Sequence, residues 1–530
     1  MSGPLRGFAA LCLALLAPAL VTPADVSALT ASEERGKKIY FTGRGGEAIT
    51  AYLGEGEHQL ELPGEAAVCG SCHGHDGTGR PESGVRPTNI TWKYLARSYG
   101  HVHARGVEHP SFDEESLVSY LRTGLYPGGR RGDSSMPVYE MSERDLDDLV
   151  SYLKRVGQIL DPGLSETAIR IGTIVPAEGP LGEIGAVIGS VIEAHFREVN
   201  AAGGIYGRRL ELVVHKLAED DESAAETVGR WLAEDPPFAF VSPFTPHTDF
   251  EVQSALSGNE IPVIGPFTLY SIRSFLSNRY VFYLYPDLGE QLEALVQFAA
   301  TRLELSEPRL AVIYPDERAL TDVIAIVEKA GRQQGWGELR REPFPVGRFD
   351  AGSSAQTLQD AGIDVVISLG VEQELRAFLT AAAERGWSPH VLASGALSGS
   401  GLLEETPEAF GPRLHLAYPT LPQDRKPWAV KVVSRILERN ELARGHIQAT
   451  ISAYSSVTVL VEALRRAGRG LGRRELTAEL EGFYEFDTGL TPPITFTSNR
   501  RIGAKGAYVL DPGSIVDGHL PESVPWVQVK

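Results

Sequence analysis

Sulfur-containing residues are scarce in this chain of 530 residues, which has three cysteines and three methionines. So few cysteines exclude a disulfide-rich scaffold. Cys12 lies in an apolar N-terminal stretch, and the other two, Cys69 and Cys72, are separated by only two residues. Once that N-terminal stretch is removed, the protein retains a single, closely spaced cysteine pair.

Positive charge is also scarce: 50 lysines and arginines stand against 69 aspartates and glutamates, for a formal net charge of −19. Binding to nucleic-acid phosphates needs clustered cations, so we expect no nucleic-acid partner. We interpret the excess of negative charge as a contribution to solubility.

Long apolar stretches are absent beyond the N-terminus. Residues 1–28 have the pattern of a secretory signal peptide, with Arg6 before an apolar core at 8–20 and small residues for cleavage at Ala24 or Ala28. The core is too short for a comfortable membrane span, and no later stretch approaches about 18 uninterrupted apolar residues. We expect an exported, soluble, periplasmic protein with no membrane span after cleavage.

Catalytic signatures are missing as well. The sequence contains no nucleophile elbow of a Ser/His/Asp hydrolase, no HExxH zinc motif and no GxxxxGK[ST] phosphate-binding loop. We predict that the protein is not an enzyme.

One short stretch does indicate chemistry: Cys69-Gly70-Ser71-Cys72-His73. In a Cys-x-x-Cys-His pattern the two thiols can add to the vinyl groups of a haem and the imidazole can ligate its iron. A disulfide or a redox dithiol is the alternative for such a pair in an exported protein. The adjacent histidine, the glycine-rich residues 74–77 and a distal-ligand candidate downstream favour one covalently attached haem c.

Met136, followed by Pro137, is the predicted distal ligand of the haem iron. A thioether is a soft, neutral ligand that raises the reduction potential, and a six-coordinate His/Met iron favours electron transfer over substrate chemistry. Met141 is the other methionine that could ligate the iron. The alternative role for Met136 is packing in the core, but methionine is so scarce in this chain that such a role is unconvincing. Four histidines are further candidates, for which we expect surface or structural roles: His75, His101, His103 and His109.

The residues around the motif predict a small helical domain at 29–160. Apolar residues at helical spacing, each preceded by a capping serine, predict helices at 32–40, 112–123 and 142–156. The glycine-rich stretch 42–66 predicts a loop or a small hairpin.

This domain resembles the class I cytochromes c. The matching residues are 36–40, the Cys69-Gly70-Ser71-Cys72-His73 motif, Met136-Pro137 and the closing helix at 146–153. The resemblance covers about 130 residues and implies an all-α fold with His73 and Met136 as axial ligands. The stretch 42–66 departs from the pattern, because it lengthens the path from the first helix to the motif.

After a short polar linker at 161–168, residues 169–530 show alternating strand and helix patterns. The first strand is predicted at 169–175, with a helix at about 185–200 and the next strand at 210–215. This alternation predicts doubly wound parallel sheets, and about 360 residues are too many for one sheet, so we expect two lobes. Ligands of such folds bind beyond the carboxyl ends of the strands.

This second domain resembles the type I periplasmic solute-binding proteins of the branched-chain amino-acid receptor group. The resemblance rests on Val199-Asn200-Ala201-Ala202-Gly203-Gly204-Ile205-Tyr206-Gly207-Arg208-Arg209-Leu210, preceded by Gly179-Pro180. It implies two α/β lobes joined by three crossovers, which we place near 284–287, 417–421 and 489–494, and closure of the lobes around a small solute.

The resemblance places solute contacts in two loops after strands of the first lobe, 242–248 and 265–268. Hydroxyl groups there could hold a carboxylate or another polar group, and aromatic rings could form an apolar wall. The hydroxyl candidates are Ser242, Thr245 and Thr268, and the aromatic candidates are Phe244, Phe267 and Tyr285.

Two departures argue against an α-amino acid as the solute. The family's second-lobe acidic residue, which binds the α-ammonium group, has no counterpart in the matching loop 393–396. A tyrosine of that lobe is replaced near 319–320. Since a buried ammonium without a partner is costly, we expect a carboxylate, alcohol, amide or aromatic compound instead.

Three functions are consistent with these patterns. The first is an exported c-type cytochrome fused to a small-solute-binding domain, which exchanges single electrons with a periplasmic redox partner. Closure of the lobes would then alter either the exposure of the haem or its docking to that partner. The second is a receptor that delivers solute to an ABC permease, with the haem incidental. The third is an electron carrier for a periplasmic dehydrogenase, such as a quinoprotein, with the binding domain as a docking module.

Overall fold

The computed structural model describes residues 29–54, 56, 59–74, 76–79, 87–102, 108–218, 223–272, 279–303, 305, 307–398, 402, 406–440, 446–515 and 519–529. The predicted signal peptide at 1–28, with Cys12, and the candidate ligands His75 and His103 lie outside these residues. The chain divides into two compact units, Met1–Leu160 and Asp161–Lys530.

The first unit is mainly helical. Its helices are Ala31–Thr42, Cys69–His73, Trp92–Leu95, Glu114–Thr123 and Glu143–Leu153. Its short strands are Thr50–Leu53, Leu60–Pro63, His101–Val102, Glu108–His109 and Val138–Glu140, and Gly64–Ala66 forms a 3-10 turn.

The longer helices of this unit begin and end at capping residues. Thr30 and Glu33 form a capping box at the first helix, which ends at Gly43 with a φ of 66°. Ser142 caps the last helix by accepting a hydrogen bond from the backbone N–H of Asp145. Local sequence therefore sets these boundaries.

The first and last helices of the unit pack against each other. Arg35 forms an ion pair with Asp148, with 2.6 Å between Nε and Oδ2. Gly36 allows the close approach, because a Cβ atom there would lie 1.9 Å from the carbonyl oxygen of Asp148. The Tyr40 hydroxyl donates to the carbonyl of Gly74, at 2.7 Å, which ties the first helix to the end of the Cys69–His73 helix.

The glycine-rich stretch 42–66 forms a hairpin. Thr50–Leu53 pairs antiparallel with Leu60–Pro63 on one side and with Val138–Glu140 on the other. The result is a three-stranded sheet in which Thr50–Leu53, the first strand of the hairpin, is central.

The second unit contains two sheets, as the alternating pattern predicts. The first has five parallel strands, in the order Val281–Phe282, Val263–Ile264, Ala239–Val241, Ala168–Pro176 and Arg209–Leu217. The second has seven strands, in the order Leu339–Phe344, Leu310–Pro315, Val365–Ser368, His390–Ser394, Leu414–Tyr418, Gly506–Leu510 and Trp526–Gln528. Gly506–Leu510 pairs antiparallel with both of its neighbours.

Helices cover these sheets. They are Gly179–Ala201, Ala224–Glu234, Asp249–Gly258, Leu288–Arg302, Leu320–Gln333, Ala351–Asp360, Glu372–Glu384, Gly395–Ser398, Pro427–Arg439, Ile447–Ala467 and Arg473–Glu481, with 3-10 turns at Glu408–Phe410, Pro422–Asp424 and Pro512–Ser514. Among the described residues one helix, Ile447–Ala467, is long and apolar enough to cross a membrane, and 78% of its apolar window is buried. That burial fits a core helix.

The predicted linker at 161–168 makes specific contacts within the second unit. The carboxylate of Asp161 accepts from the backbone N–H of Arg473 at 2.6 Å. The carbonyl of Ser165 accepts from Nε of Arg208 at 2.9 Å, and Leu164 is buried. These residues are a docked segment rather than a free tether.

The third passage between the lobes lies later than the predicted 489–494. Ile502 still bridges Tyr283, at the end of the first sheet, and the two residues share one hydrophobic core. The chain joins the second sheet only at Gly506–Leu510. The predicted position is early because Ile494 and Phe486 form an additional bridge before the chain leaves the first lobe.

Candidate functional site

The Cys-x-x-Cys-His motif forms the short helix Cys69–His73. Since residues three and four apart lie on the same side of a helix, Cys69 is placed beside both Cys72 and His73. Cys69 is half-buried and Cys72 is exposed, and neither forms a disulfide. His73 is buried, with 5% of its surface exposed.

The ring of His73 is held in one orientation. Its Nδ1 lies 2.9 Å from the carbonyl oxygen of Thr88, which can only accept, so Nδ1 carries the hydrogen. Burial lowers the pKa of His73 and favours the neutral imidazole. The Nε2 lone pair is thereby left for a metal ion, the usual division of roles in a ligating histidine.

A small cavity adjoins His73 and contains Met136 in its wall. Cys69 lies at the same cavity, whereas Met141 is buried in the core of the unit. Most of the other lining residues are apolar, including Ile90, Leu95, Phe112, Leu117, Leu121, Leu149 and Leu153. The structure thus brings together Cys69, His73 and Met136, which lie up to 67 positions apart in the sequence.

These residues fit a haem c. An imidazole nitrogen and a thioether border an apolar cavity, with a thiol at its margin, which is the donor set of a His/Met haem. Burial raises the pKa of the Cys69 thiol to about 11, which disfavours the thiolate that a redox dithiol requires. Among the described residues, no group of three or more His, Cys, Asp or Glu side chains could hold a metal ion without such a cofactor.

Two of the competing histidines, His101 and His109, are buried in the wall of the same cavity rather than at the surface. His109 stacks on Tyr126, with ring centroids 4.2 Å apart and planes 8° apart, and Tyr126 stacks on Tyr120. His101 and His109 face each other across a two-stranded antiparallel pair. Their spacing in the sequence gives no sign of this, because it does not show which segments pair as strands.

The inserted hairpin is connected to the segment that carries Met136. Ala51 pairs with Tyr139, three residues beyond Met136. On the other side of Met136, the backbone N–H of Gly54 donates to the carbonyl of Ser134 at 3.3 Å. The hairpin therefore holds both flanks of this segment.

The six predicted solute contacts lie in two neighbouring loops and at the end of the first sheet. Ser242 is fully buried with a φ of 46°, and its hydroxyl group finds no hydrogen-bond partner among the described residues. The rings of Phe244 and Phe267 lie 5.4 Å apart, so the two loops share one aromatic contact. Tyr285 is half-buried.

The hydroxyl groups of Thr245 and Thr268 donate to one carboxylate, that of Asp249. The distances are 3.1 Å to Oδ1 from Thr245 and 2.9 Å to Oδ2 from Thr268. Burial raises the pKa of Asp249 to about 7, in spite of these donors. Sequence reasoning missed this residue, because an acid in the first turn of a helix is ordinarily explained by the helix dipole.

Comparison with known proteins identifies both units. A sequence model of the periplasmic binding protein family matches residues 168–511, and one of cytochrome c matches residues 64–157. The chain belongs to the periplasmic binding protein family and carries a small cytochrome c domain before the binding-protein fold. The predicted resemblances and the fold class are confirmed, and the cytochrome c domain implies covalently bound haem.

Curated relatives match about half of the chain. Leu/Ile/Val-binding protein homolog 7 of Brucella abortus is 24% identical over 252 residues, which cover 46% of this chain and 62% of the relative. Homolog 8 of Brucella suis is 23% identical over 272 residues, with 48% and 66% covered. The chain thus spans less than two thirds of the length of these relatives.

Solved structures share the fold of the second unit. A fatty acid ABC transporter substrate-binding protein from Thermomonospora curvata aligns with a TM-score of 0.54 at 18% identity, over 70% of this chain and 93% of that one. A branched chain amino acid ABC transporter protein from Thermus thermophilus with bound valine aligns with a TM-score of 0.53 at 18% identity, over 69% and 96%.

Proposed function

We propose that the protein is an exported carrier of single electrons, with one haem c, that also binds a small organic solute in its two-lobed domain. The observation that carries the proposal is the cavity that brings Cys69, His73 and Met136 together. When bound, the haem supplies a one-electron couple. The proposal includes no enzymatic activity, since cytochrome c and binding-protein domains are not enzymatic by family.

Each residue of the cavity has a distinct role in this proposal. Cys69 and Cys72 would hold the haem through their thiols, and His73 would ligate the iron through Nε2 while the Thr88 carbonyl fixes its ring. Met136 would supply a second iron ligand, a thioether, which raises the reduction potential of a haem and suits electron transfer.

Spectroscopy of the holoprotein tests these roles. Met136→Ala should abolish the weak charge-transfer band of thioether-ligated ferric haem and lower the reduction potential, whereas Met141→Ala should retain both. His101→Ala and His109→Ala are the matched tests of the two cavity histidines. Retention of the band in Met136→Ala, or its absence from the wild type together with a spectrum that changes only in His101→Ala or His109→Ala, would show that Met136 is not the ligand.

A transport receptor is the second candidate function, and the match of the periplasmic binding protein family to residues 168–511 favours it. In this case the second unit delivers solute to an ABC permease and the haem is dispensable. Uptake in a deletion strain should then be rescued by residues 161–530 behind a secretion signal. Rescue only by the full chain would instead indicate that solute binding and the haem act together.

A further inference from the structure

Asp249 occupies the edge of the first lobe at which a solute is expected to bind. It begins the helix Asp249–Gly258, directly after the loop that follows the strand Ala239–Val241. Thr268 belongs to the loop after the neighbouring parallel strand, Val263–Ile264. The carboxyl ends of adjacent parallel strands meet at one edge of a sheet, where ligands of doubly wound folds bind.

The carboxylate of Asp249 is only partly satisfied. A carboxylate offers about four lone-pair positions; the hydroxyls of Thr245 and Thr268 occupy two of them, and the neutral side chain of Gln253 is a third hydrogen-bonding neighbour. No lysine or arginine forms an ion pair with it in the described part of the chain, and the residue is half-buried. An ionised carboxylate removed from water without a cation is costly unless a partner arrives.

The titratable groups around Asp249 do not neutralise it. Glu251, on the same helix, is acidic and exposed. Tyr270, after the second loop, is a neutral phenol whose pKa is raised by burial and by the charges of Glu317 and Asp249. Tyr283, at the end of the first sheet, is a neutral phenol whose pKa is raised by burial and by the charges of Asp249 and Asp287. None of these described groups carries a positive charge.

We propose that Asp249 binds a protonated amine of the solute, so that the first lobe holds a cationic end of the ligand and rejects a carboxylate there. The proposal rests on the solute-binding function of the second unit. The loop 393–396 of the second lobe has no acidic residue to bind an ammonium group. In this proposal Asp249 of the first lobe takes that role. Phe244 and Phe267 flank the same loops, and aromatic faces attract cations.

A matched pair of probes tests this inference in the full haem-loaded protein. 3-Methylbutylamine and 4-methylpentanoate share a branched alkyl group and differ in the sign of their charge. Isothermal titration should show that the amine binds and the carboxylate does not at pH 8. Affinity for the amine should fall about tenfold at pH 6, because protonation of Asp249 removes its charge.

Two variants separate recognition from stability. Asp249→Asn should weaken amine binding at least tenfold at pH 8, while the exposed neighbour variant Glu251→Gln should bind as the wild type does. Without amine, Asp249→Asn should melt at or above the wild-type temperature, because it removes a buried charge that lacks a cation. This rise would show that the lost binding is not a folding defect.

The outcomes that overturn the inference are distinct from failure of the proposed function. Binding of 4-methylpentanoate that strengthens at pH 6 and requires Asp249 would mean that a neutral Asp249 donates to an anion; solute binding would stand and the inference would fall. Unchanged amine binding in Asp249→Asn, or no amine binding to the wild type, also overturns it. Only the lack of any binder in a broad thermal-shift screen would count against the solute-binding function itself.

Discussion

Gly36 lies where the first helix of the haem unit crosses the last one. A Cβ atom at this position would lie 1.9 Å from the carbonyl oxygen of Asp148 and 2.8 Å from the Cβ atom of Tyr152, neither of which can move aside by rotating a side chain. Overpacking of this kind costs about 1–3 kcal/mol, because the helices must separate.

Gly36→Ala should therefore lower the melting temperature of the haem unit, followed by its Soret absorbance and far-ultraviolet circular dichroism. Gly189→Ala is the control, since that glycine lies in the helix Gly179–Ala201 with nothing within 4 Å of an added Cβ atom. Alanine there should be neutral or stabilising. A Gly36→Ala variant as stable as the wild type would contradict the close helix contact.

His195 makes the second unit sensitive to acid. Its ring stacks on Tyr454 at 5.1 Å, and its Nδ1 finds no hydrogen-bond partner among the described residues. Burial, with the nearby charge of Arg465, lowers the pKa of His195 to about 4. Below about pH 6.5, His195 is therefore protonated in the unfolded chain but stays neutral in the folded one. The free energy of unfolding should fall as the pH drops.

His195→Phe should reduce the loss of unfolding free energy between pH 7 and pH 5 by about 2 kcal/mol. Urea unfolding at the two pH values measures this difference. Tyr454→Phe keeps His195 and the stacked ring, so it should retain the full loss. An equal loss in wild type and His195→Phe would mean that this histidine is protonated as readily in the folded protein as in the unfolded one.

At the scale of elements, the inserted hairpin is the feature that bears most directly on the haem site. Its inner strand Thr50–Leu53 lies between Leu60–Pro63 and Val138–Glu140, so proline in it removes ladder hydrogen bonds. Ala51 is the fully buried centre of that strand.

Ala51→Pro should loosen the segment around Met136, and hence weaken the thioether–iron band and lower the reduction potential of the holoprotein. Leu60→Ala on the outer strand, where the side chain is 54% exposed, should leave both unchanged. Circular dichroism checks that the helices persist. An unaltered band in folded Ala51→Pro would show that the hairpin does not hold the ligand.

At the scale of the whole molecule, the segment 161–168 decides where the second unit begins. The segment 161–168 contributes the contacts of Asp161 with Arg473 and of Ser165 with Arg208, and it buries Leu164. A hydrogen bond contributes about 1 kcal/mol net and a buried leucine about 2 kcal/mol. The unit should therefore begin at Asp161, as its compact boundary indicates.

Residues 161–530 should fold alone and unfold with a free energy about 4 kcal/mol larger than that of residues 169–530. Urea titration of the two fragments, followed by tryptophan fluorescence, measures the difference. Equal unfolding free energies of the two fragments would show that 161–168 is a free linker.

The sequence by itself determined what depends on neighbouring residues. The Cys-x-x-Cys-His motif is contiguous, so its geometry follows from one turn of helix. The two-lobed fold follows from apolar runs alternating with helical patterns. The strand Leu339–Phe344 has no such apolar run, because it is an edge strand with exposed charged side chains.

Only the tertiary structure decided which distant segments meet. The hairpin pairs with residues nearly 90 positions away, His101 and His109 turn into the cavity, and Thr268 donates to Asp249 from the loop of a neighbouring strand. The physical reason is common to all three. Hydrogen bonds between distant segments depend on strand register and on the packing of helices against sheets, which no local pattern encodes.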